Sequence, residues 1–139
     1  MITPATLDLF QKNYPQLALR AEDQEVFRLQ GIKKNLEGGQ TLLGVQAQCE
    51  LLPFVLEGSL RVFQSAASGR EIILYHINQG NSCILSALGI LADRGFPAHA
   101  KADEATTLIL LPGALLKRFV DRYPPWRDFV FPLYSDRLD

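Results

Sequence analysis

Sulfur and imidazole are scarce in this sequence: among 139 residues there are two cysteines, Cys49 and Cys83, and two histidines, His76 and His99. Two cysteines cannot build a disulfide framework, and isolated thiols are most often small buried apolar groups. The histidines lie on separate segments with no His-x-His pair, so a site of three imidazoles cannot be assembled. An excess of one charge is lacking too. The 14 basic and 15 acidic side chains nearly cancel, which leaves no basic field of the kind that draws a phosphate backbone. No stretch approaches the roughly 18 consecutive apolar residues of a membrane span. Met1 is followed by Thr3, Pro4 and Asp8 rather than by the basic start and apolar run of an export signal. A cytoplasmic chain with no membrane partner is the expectation. Gly-x-Ser-x-Gly, His-Glu-x-x-His and a phosphate-cradling glycine loop are all missing, and Glu57 and Glu71 flank turns, where carboxylates are solvated. A protein without enzymatic activity follows as the expectation.

What the sequence does hold is enough apolar material, 47% of residues, for one packed core and a single domain. Leu7, Phe10, Tyr14 and Leu17 recur at spacings of three and four, which predicts a helix from Thr6 to about Leu19, begun by Thr3-Pro4. A second short helix is expected from Glu22 to about Leu29. From Gly31 onward the chain reads as short β-branched and aliphatic runs broken by Gly, Asn, Asp and Ser, the pattern of an antiparallel barrel or jelly roll. The expected strands are Ile32 to Leu36, Thr41 to Val45, Leu52 to Leu56, Leu60 to Ser65, Glu71 to Ile77, Ala98 to Ala102 and Thr106 to Leu111. Between them lie turn signals at Gly38-Gly39, Gly58, Gly69 and Gly80, with Gly58 expected to close a tight hairpin between two core strands. After Pro112-Gly113 the helical spacing returns in Leu115, Leu116, Phe119, Val120 and Tyr123, and Pro124-Pro125 should end that helix. A last apolar stripe follows, with Pro132 placed to kink it, and it stops at Leu138-Asp139 without a C-cap glycine. That ending predicts a longer parent protein. The domain therefore divides into a helical lead-in (1–29), a β-roll (30–112) and closing helices (113–139).

The run Leu52-Pro-Phe-Val-Leu-Glu-Gly-Ser-Leu-Arg-Val-Phe63, then Gly69-Arg-Glu-Ile-Ile-Leu-Tyr75, then Gly80 with Cys83-Ile-Leu-Ser86, resembles the sensor domain of Crp/Fnr transcription regulators. Ala98-His-Ala-Lys-Ala102 and Thr106 to Pro112 continue the resemblance, which covers nearly the whole chain in order and spacing. It implies a mainly β fold, a double-stranded β-helix of the cyclic-nucleotide-binding type with flanking helices. It also implies a small-molecule effector, and a DNA-reading helix-turn-helix that this chain lacks. Pairing of two subunits would run through the last helix, with Trp126, Phe129, Val130, Leu133 and Tyr134 as anchors. The effector pocket implied is formed by Gly80, Cys83, Leu85, Ser86, Phe96, Pro97, Ala98 and His99.

Family members that bind cyclic nucleotides hold the ribose with a Glu and the phosphate with an Arg-Ser pair. Here Leu85 or Ser86 stands at the Glu position, and Phe96 and Pro97 stand at the Arg-Ser positions. A buried phosphate needs a charge-assisted partner that apolar side chains cannot supply, so cAMP binding is not expected. The segment from Cys83 to Leu91 is markedly apolar and suits an apolar or aromatic effector, or a pocket filled by Phe96 itself. No cofactor is expected. Haem, carried by some sensors of the family, stays open through His76, His99 or Cys83, whereas an iron–sulfur cluster is closed for want of cysteines. The alternative on the same kind of frame is a cupin-like small-molecule-binding barrel or enzyme, which would need metal ligands.

Overall fold

The computed structural model describes residues 1–43, 51–83, 87, 90–91 and 98–130. Its elements are α1 (Pro4–Asn13), α2 (Ala21–Gln30), β1 (Ile32–Leu36), β2 (Thr41–Leu43), β3 (Leu51–Glu57), β4 (Ser59–Ser65), β5 (Glu71–Asn78), β6 (His99–Ala102), β7 (Thr106–Pro112) and α3 (Gly113–Arg122). A further helical run follows at 124–130.

Thr3 opens α1: its hydroxyl accepts a hydrogen bond from the Thr6 amide at 3.2 Å, and Pro4 fills the first helical position, where a missing N–H costs nothing. The helix ends earlier than its apolar spacing predicts, at Asn13 rather than Leu19. Tyr14 leaves the helical region (φ −130°, ψ 63°) because Pro15 disfavours helical backbone in the residue before it. Tyr14 and Leu17 are nonetheless wholly buried, carried into the core by a turn instead of a helix face. The same rule acts at the other end of the chain. Tyr123 is extended (φ −124°, ψ 111°) ahead of Pro124, and the proline pair expected only to stop α3 also opens the run 124–130.

Among the described residues seven strands form two antiparallel sheets, β1-β7-β3 and β2-β6-β4-β5. In the first, Ile32 to Leu36 pairs with Leu110 to Thr106, and Leu51 pairs with Pro112. In the second, β4 and β5 form a hairpin while β6 lies on the other side of β4. The architecture is the expected jelly-roll sandwich with flanking helices. One local expectation is corrected: Gly58 does not close a hairpin. β3 and β4 belong to different sheets, and Gly58 (φ +94°) is the corner where the chain crosses from one to the other. A Cβ there would meet Thr106 Oγ1 at 2.5 Å and the Ala105 carbonyl at 2.6 Å, so the corner requires both the conformational freedom of glycine and its missing side chain.

β3 and β7 carry buried residues in succession, Leu52 to Leu56 in one and Leu108 to Leu111 in the other. Both faces of these strands are covered, one by the opposite sheet and one by helices, which is why their sequences run apolar instead of alternating. On the helix side Phe54 meets Phe10 of α1 edge to face at 5.3 Å and Trp126 at 6.0 Å, while Trp126 packs on Phe119 of α3 at 5.0 Å. Among the described residues no helix is long and apolar enough to cross a membrane.

Candidate functional site

The turn after β5 and the residues Asn81 to Cys83 that follow it, the closing segment, lie against β3 and β5. Gly80 takes φ +85°, Ser82 makes a single bridge to Phe54 of β3, and the Cys83 carbonyl accepts from the Ala87 amide at 3.0 Å. β3 is an edge strand, and its free carbonyls are satisfied by side chains in place of a neighbouring strand. Ser82 Oγ donates to Pro53 O at 2.6 Å, Gln79 Nε2 to Leu56 O at 2.6 Å, and the Tyr14 hydroxyl lies 3.0 Å from Val55 O and 2.6 Å from Asn81 O. Burial pushes the Tyr14 hydroxyl above its ordinary range, so it stays a donor. Across the space between the sheets, Cys83 Sγ sits 3.3 Å from the hydroxyl of Tyr75 on β5. The closing segment thus touches both sheets.

The candidate residues divide as follows. Gly80, Cys83 and Ala98 are described; Leu85, Ser86, Phe96 and Pro97 lie outside the described residues. Cys83, Ala87, Ile90 and Ala98 are all buried and belong to the apolar core. Ala98, Ala100 and Ala102 are each at most 1% exposed, alternate residues facing inward, as the period of a strand requires. His99 therefore belongs to the opposite face, a correction to its place in the pocket. Its ring stacks on Phe63 at 5.1 Å. On that outward face Lys101 Nζ and the Arg61 guanidinium lie 5.3 and 5.8 Å from the Phe63 ring centre. Arg61 also bonds Glu71 at 2.9 Å and Asp103 at 3.2 Å, and His76 Nδ1 lies 3.0 Å from Asp103. The Arg61 hydrogen bond leads the effects that hold Glu71 below the ordinary carboxylate range. Burial pushes Asp103 upward, but bonds from Ser59, His76 and Arg61 outweigh it and leave that carboxyl lowered.

The subunit-pairing candidates divide too. Trp126 is fully buried and Val130 nearly so, enclosed by the chain's own core, which withdraws both as exposed anchors; Phe129 is half-buried, and Leu133 and Tyr134 lie outside the described residues. Among the described residues no group of three or more His, Cys, Asp and Glu could hold a metal ion, and His76 and His99 are on the outward face while Cys83 is inside. Away from the closing segment, an open cleft of about 680 Å³ lies between Glu37, Glu57 and Thr107.

Sequence reasoning missed two polar groups that hold this arrangement. Tyr14 is visible in the sequence only as a member of an apolar stripe. Asp23, on charged α2, is wholly buried: Oδ1 accepts from Arg118 at 3.0 Å and Arg122 at 3.1 Å, and Oδ2 from the Tyr123 hydroxyl. Their partners are up to 100 residues away in sequence, and nothing local announces them.

The geometry agrees with the sequence profile of the cyclic nucleotide-binding domain, which matches residues 33–123. The chain belongs to the cyclic nucleotide-binding domain family. Solved structures with the same fold include a transcriptional regulator of the Crp/Fnr family from Eubacterium rectale, with a TM-score of 0.77 at 23% identity over 91% of this chain and 59% of that one. The sensor domain of the transcriptional regulator DNR from Pseudomonas aeruginosa gives 0.77 at 17% identity, over 96% of this chain and 89% of that domain. Thermus thermophilus catabolite activator protein gives 0.71 at 21% identity, over 88% of this chain and 58% of that one. This cyclic nucleotide-binding domain thus spans about three fifths of the length of the Eubacterium regulator. No curated protein matches the sequence.

Proposed function

We propose that this chain is the effector-sensing, non-enzymatic domain of a cytoplasmic Crp/Fnr-type transcription regulator, and that its effector is not cAMP. The observation carrying this reading is the burial of the apolar residues described after the turn that follows β5. Cys83, Ala87, Ile90 and Ala98 are all buried, and the described cations of the neighbouring sheet, Arg61 and Lys101, are on the outward face and committed to Glu71. Phe96 and Pro97 occupy the sequence positions where relatives that hold a cyclic phosphate carry Arg and Ser. A phosphate placed behind such residues would lose its hydration without gaining a charged partner. An apolar or aromatic small molecule, or no ligand at all, fits better. Effector binding would act by shifting the closing helices between two arrangements, with a second copy joined through Phe129 and the residues beyond 130, and with DNA read by a domain of the parent protein.

Millimolar cAMP should leave the thermal midpoint of the chain unchanged, because a ligand that binds the folded state must raise it. A rise of several degrees overturns the reading. Native mass spectrometry of protein purified from cell extract should then reveal which small molecule, if any, is retained.

A further inference from the structure

We propose that Tyr14 is a positioning residue that couples the turn at Gly80–Asn81, where the candidate effector segment begins, to the helical run 124–130. The inference deepens the sensing role above and rests on it for its biological meaning, although the coupling itself stands on contacts.

Tyr14 sits at the C-cap of α1, outside both elements it would connect. Its hydroxyl carries one proton and faces two carbonyl acceptors, Asn81 O at 2.6 Å and Val55 O at 3.0 Å. A single O–H can point fully at only one of them. The shorter contact goes to the turn, the longer one to the fixed edge of β3. If the turn moves away, the proton passes to Val55 O, so the buried Tyr14 donor keeps an acceptor in both arrangements and only the carbonyl it leaves must find another partner. Among the described residues Gln79 and Ser82, which flank the same turn, reach β3 through one acceptor each, whereas the Tyr14 hydroxyl faces two.

The ring supplies the other half of the connection. It meets Phe54 edge to face at 5.1 Å and Phe129 of the run 124–130 edge to face at 6.0 Å, and Phe129 in turn lies 6.3 Å from Phe54. A close-packed interior does not deform continuously. The hydroxyl oxygen lies on the axis of the ring, so drawing it towards one acceptor tilts the ring against Phe129, and a shift of Phe129 moves the oxygen between its two acceptors. Coupling of this kind must run in both directions.

Amide hydrogen exchange on the 139-residue chain, without any ligand, tests the coupling. Tyr14→Phe keeps the ring and removes the proton donor. It should speed exchange at least tenfold both at Asn81–Cys83 and within 124–130, while β4 and β6 keep their protection. Phe129→Ala, which trims a half-buried side chain, should speed exchange at Asn81–Cys83 in return. Faster exchange at the turn with none in 124–130 would reduce Tyr14 to a cap on the edge of β3 and sink the proposal. A uniform rise across the sheets would do the same, by showing a loss of global stability. Should Tyr14→Phe fail to fold, an unchanged turn in Phe129→Ala overturns it alone. Because no effector is added, a chain that retains no small molecule still answers: the sensing role would fall while the coupling stood.

Discussion

Asp23 shows how much one buried carboxylate can organise. Burial pushes its pKa upward, yet the hydrogen bonds from Tyr123 and Arg118 and the charges of Arg122 and Arg118 outweigh this and hold it below the ordinary value. A carboxyl whose folded pKa lies below its unfolded one stabilises the fold above the unfolded value, near pH 4, and that contribution is lost as pH falls through the folded value. Urea midpoints measured from pH 7 down to pH 3 should therefore fall, and Asp23→Asn should flatten part of the decline. Breaking a buried ion pair usually costs about 3–5 kcal/mol through the charge left behind. Here the guanidinium side chains are 44% and 28% exposed and can return to water, so Asp23→Ala should cost roughly 2 kcal/mol, the scale of hydrogen bonds to charged groups. Glycines separate strain from space in the same way. At Gly39 (φ +85°) an added Cβ would meet nothing within 4 Å, while at Gly58 (φ +94°) it would meet three atoms within 2.8 Å. Gly39→Ala should cost about 1 kcal/mol, from left-handed backbone alone. Gly58→Ala should cost at least about 3 kcal/mol, because the Thr106 backbone must also move. Equal midpoint shifts for the two variants would refute the assignment of Gly58 as a crowded corner.

Among the elements, the run 124–130 is tied to the roll by aromatic packing. Phe119→Ala removes a fully buried ring that touches Trp126 and should cost about 3–5 kcal/mol. Trp126→Phe should cost less than about 2 kcal/mol: it loses apolar area, but it also removes Nε1, which has no hydrogen-bond partner among the described residues and is a standing penalty. Chemical denaturation of the two variants ranks them. Most elements were legible in the sequence because local signals fix them. Gly39, Gly58, Gly69 and Gly80 mark four turns and all take positive φ, and the strands between them fall within a residue or two of their expected places where described. Element boundaries set by proline were harder. Tyr14-Pro15 ended α1 early because a steric rule acting on one residue overrode an apolar rhythm spread over several turns. The role of Gly58 was illegible for a different reason: whether a turn joins neighbours or crosses between sheets depends on β7, about fifty residues later. The outward placement of His99 was legible in principle, since Ala98, Ala100 and Ala102 claim the inward positions. The burial of Cys83 and Ala98 could be read from their small apolar side chains, whereas the Tyr14 and Asp23 contacts could not, being chosen by the fold.

For the molecule as a whole, the family match and the folding unit have different extents. The match covers residues 33–123, but Phe10, Tyr14 and Phe27 before it and Trp126 after it are among the largest fully buried side chains. A fragment of residues 33–123 would uncover Phe54, Phe119 and the helix-side face of β3. It should lose cooperative unfolding and bind a hydrophobic dye, as states without fixed packing do; a sharp thermal transition close to that of the 139-residue chain would contradict this. The opposite holds at the tip of the β4–β5 hairpin. There the Ala66 amide bonds the Arg70 carbonyl at 2.8 Å and closes the loop locally, and a side chain on Gly69 would meet nothing within 4 Å. The loop's short, small residues serve the turn and nothing beyond it, so foreign sequence spliced between Ala67 and Gly69 would hang in water. An epitope or a fluorescent label placed there would leave the sandwich unburdened and give a handle for immobilising the domain.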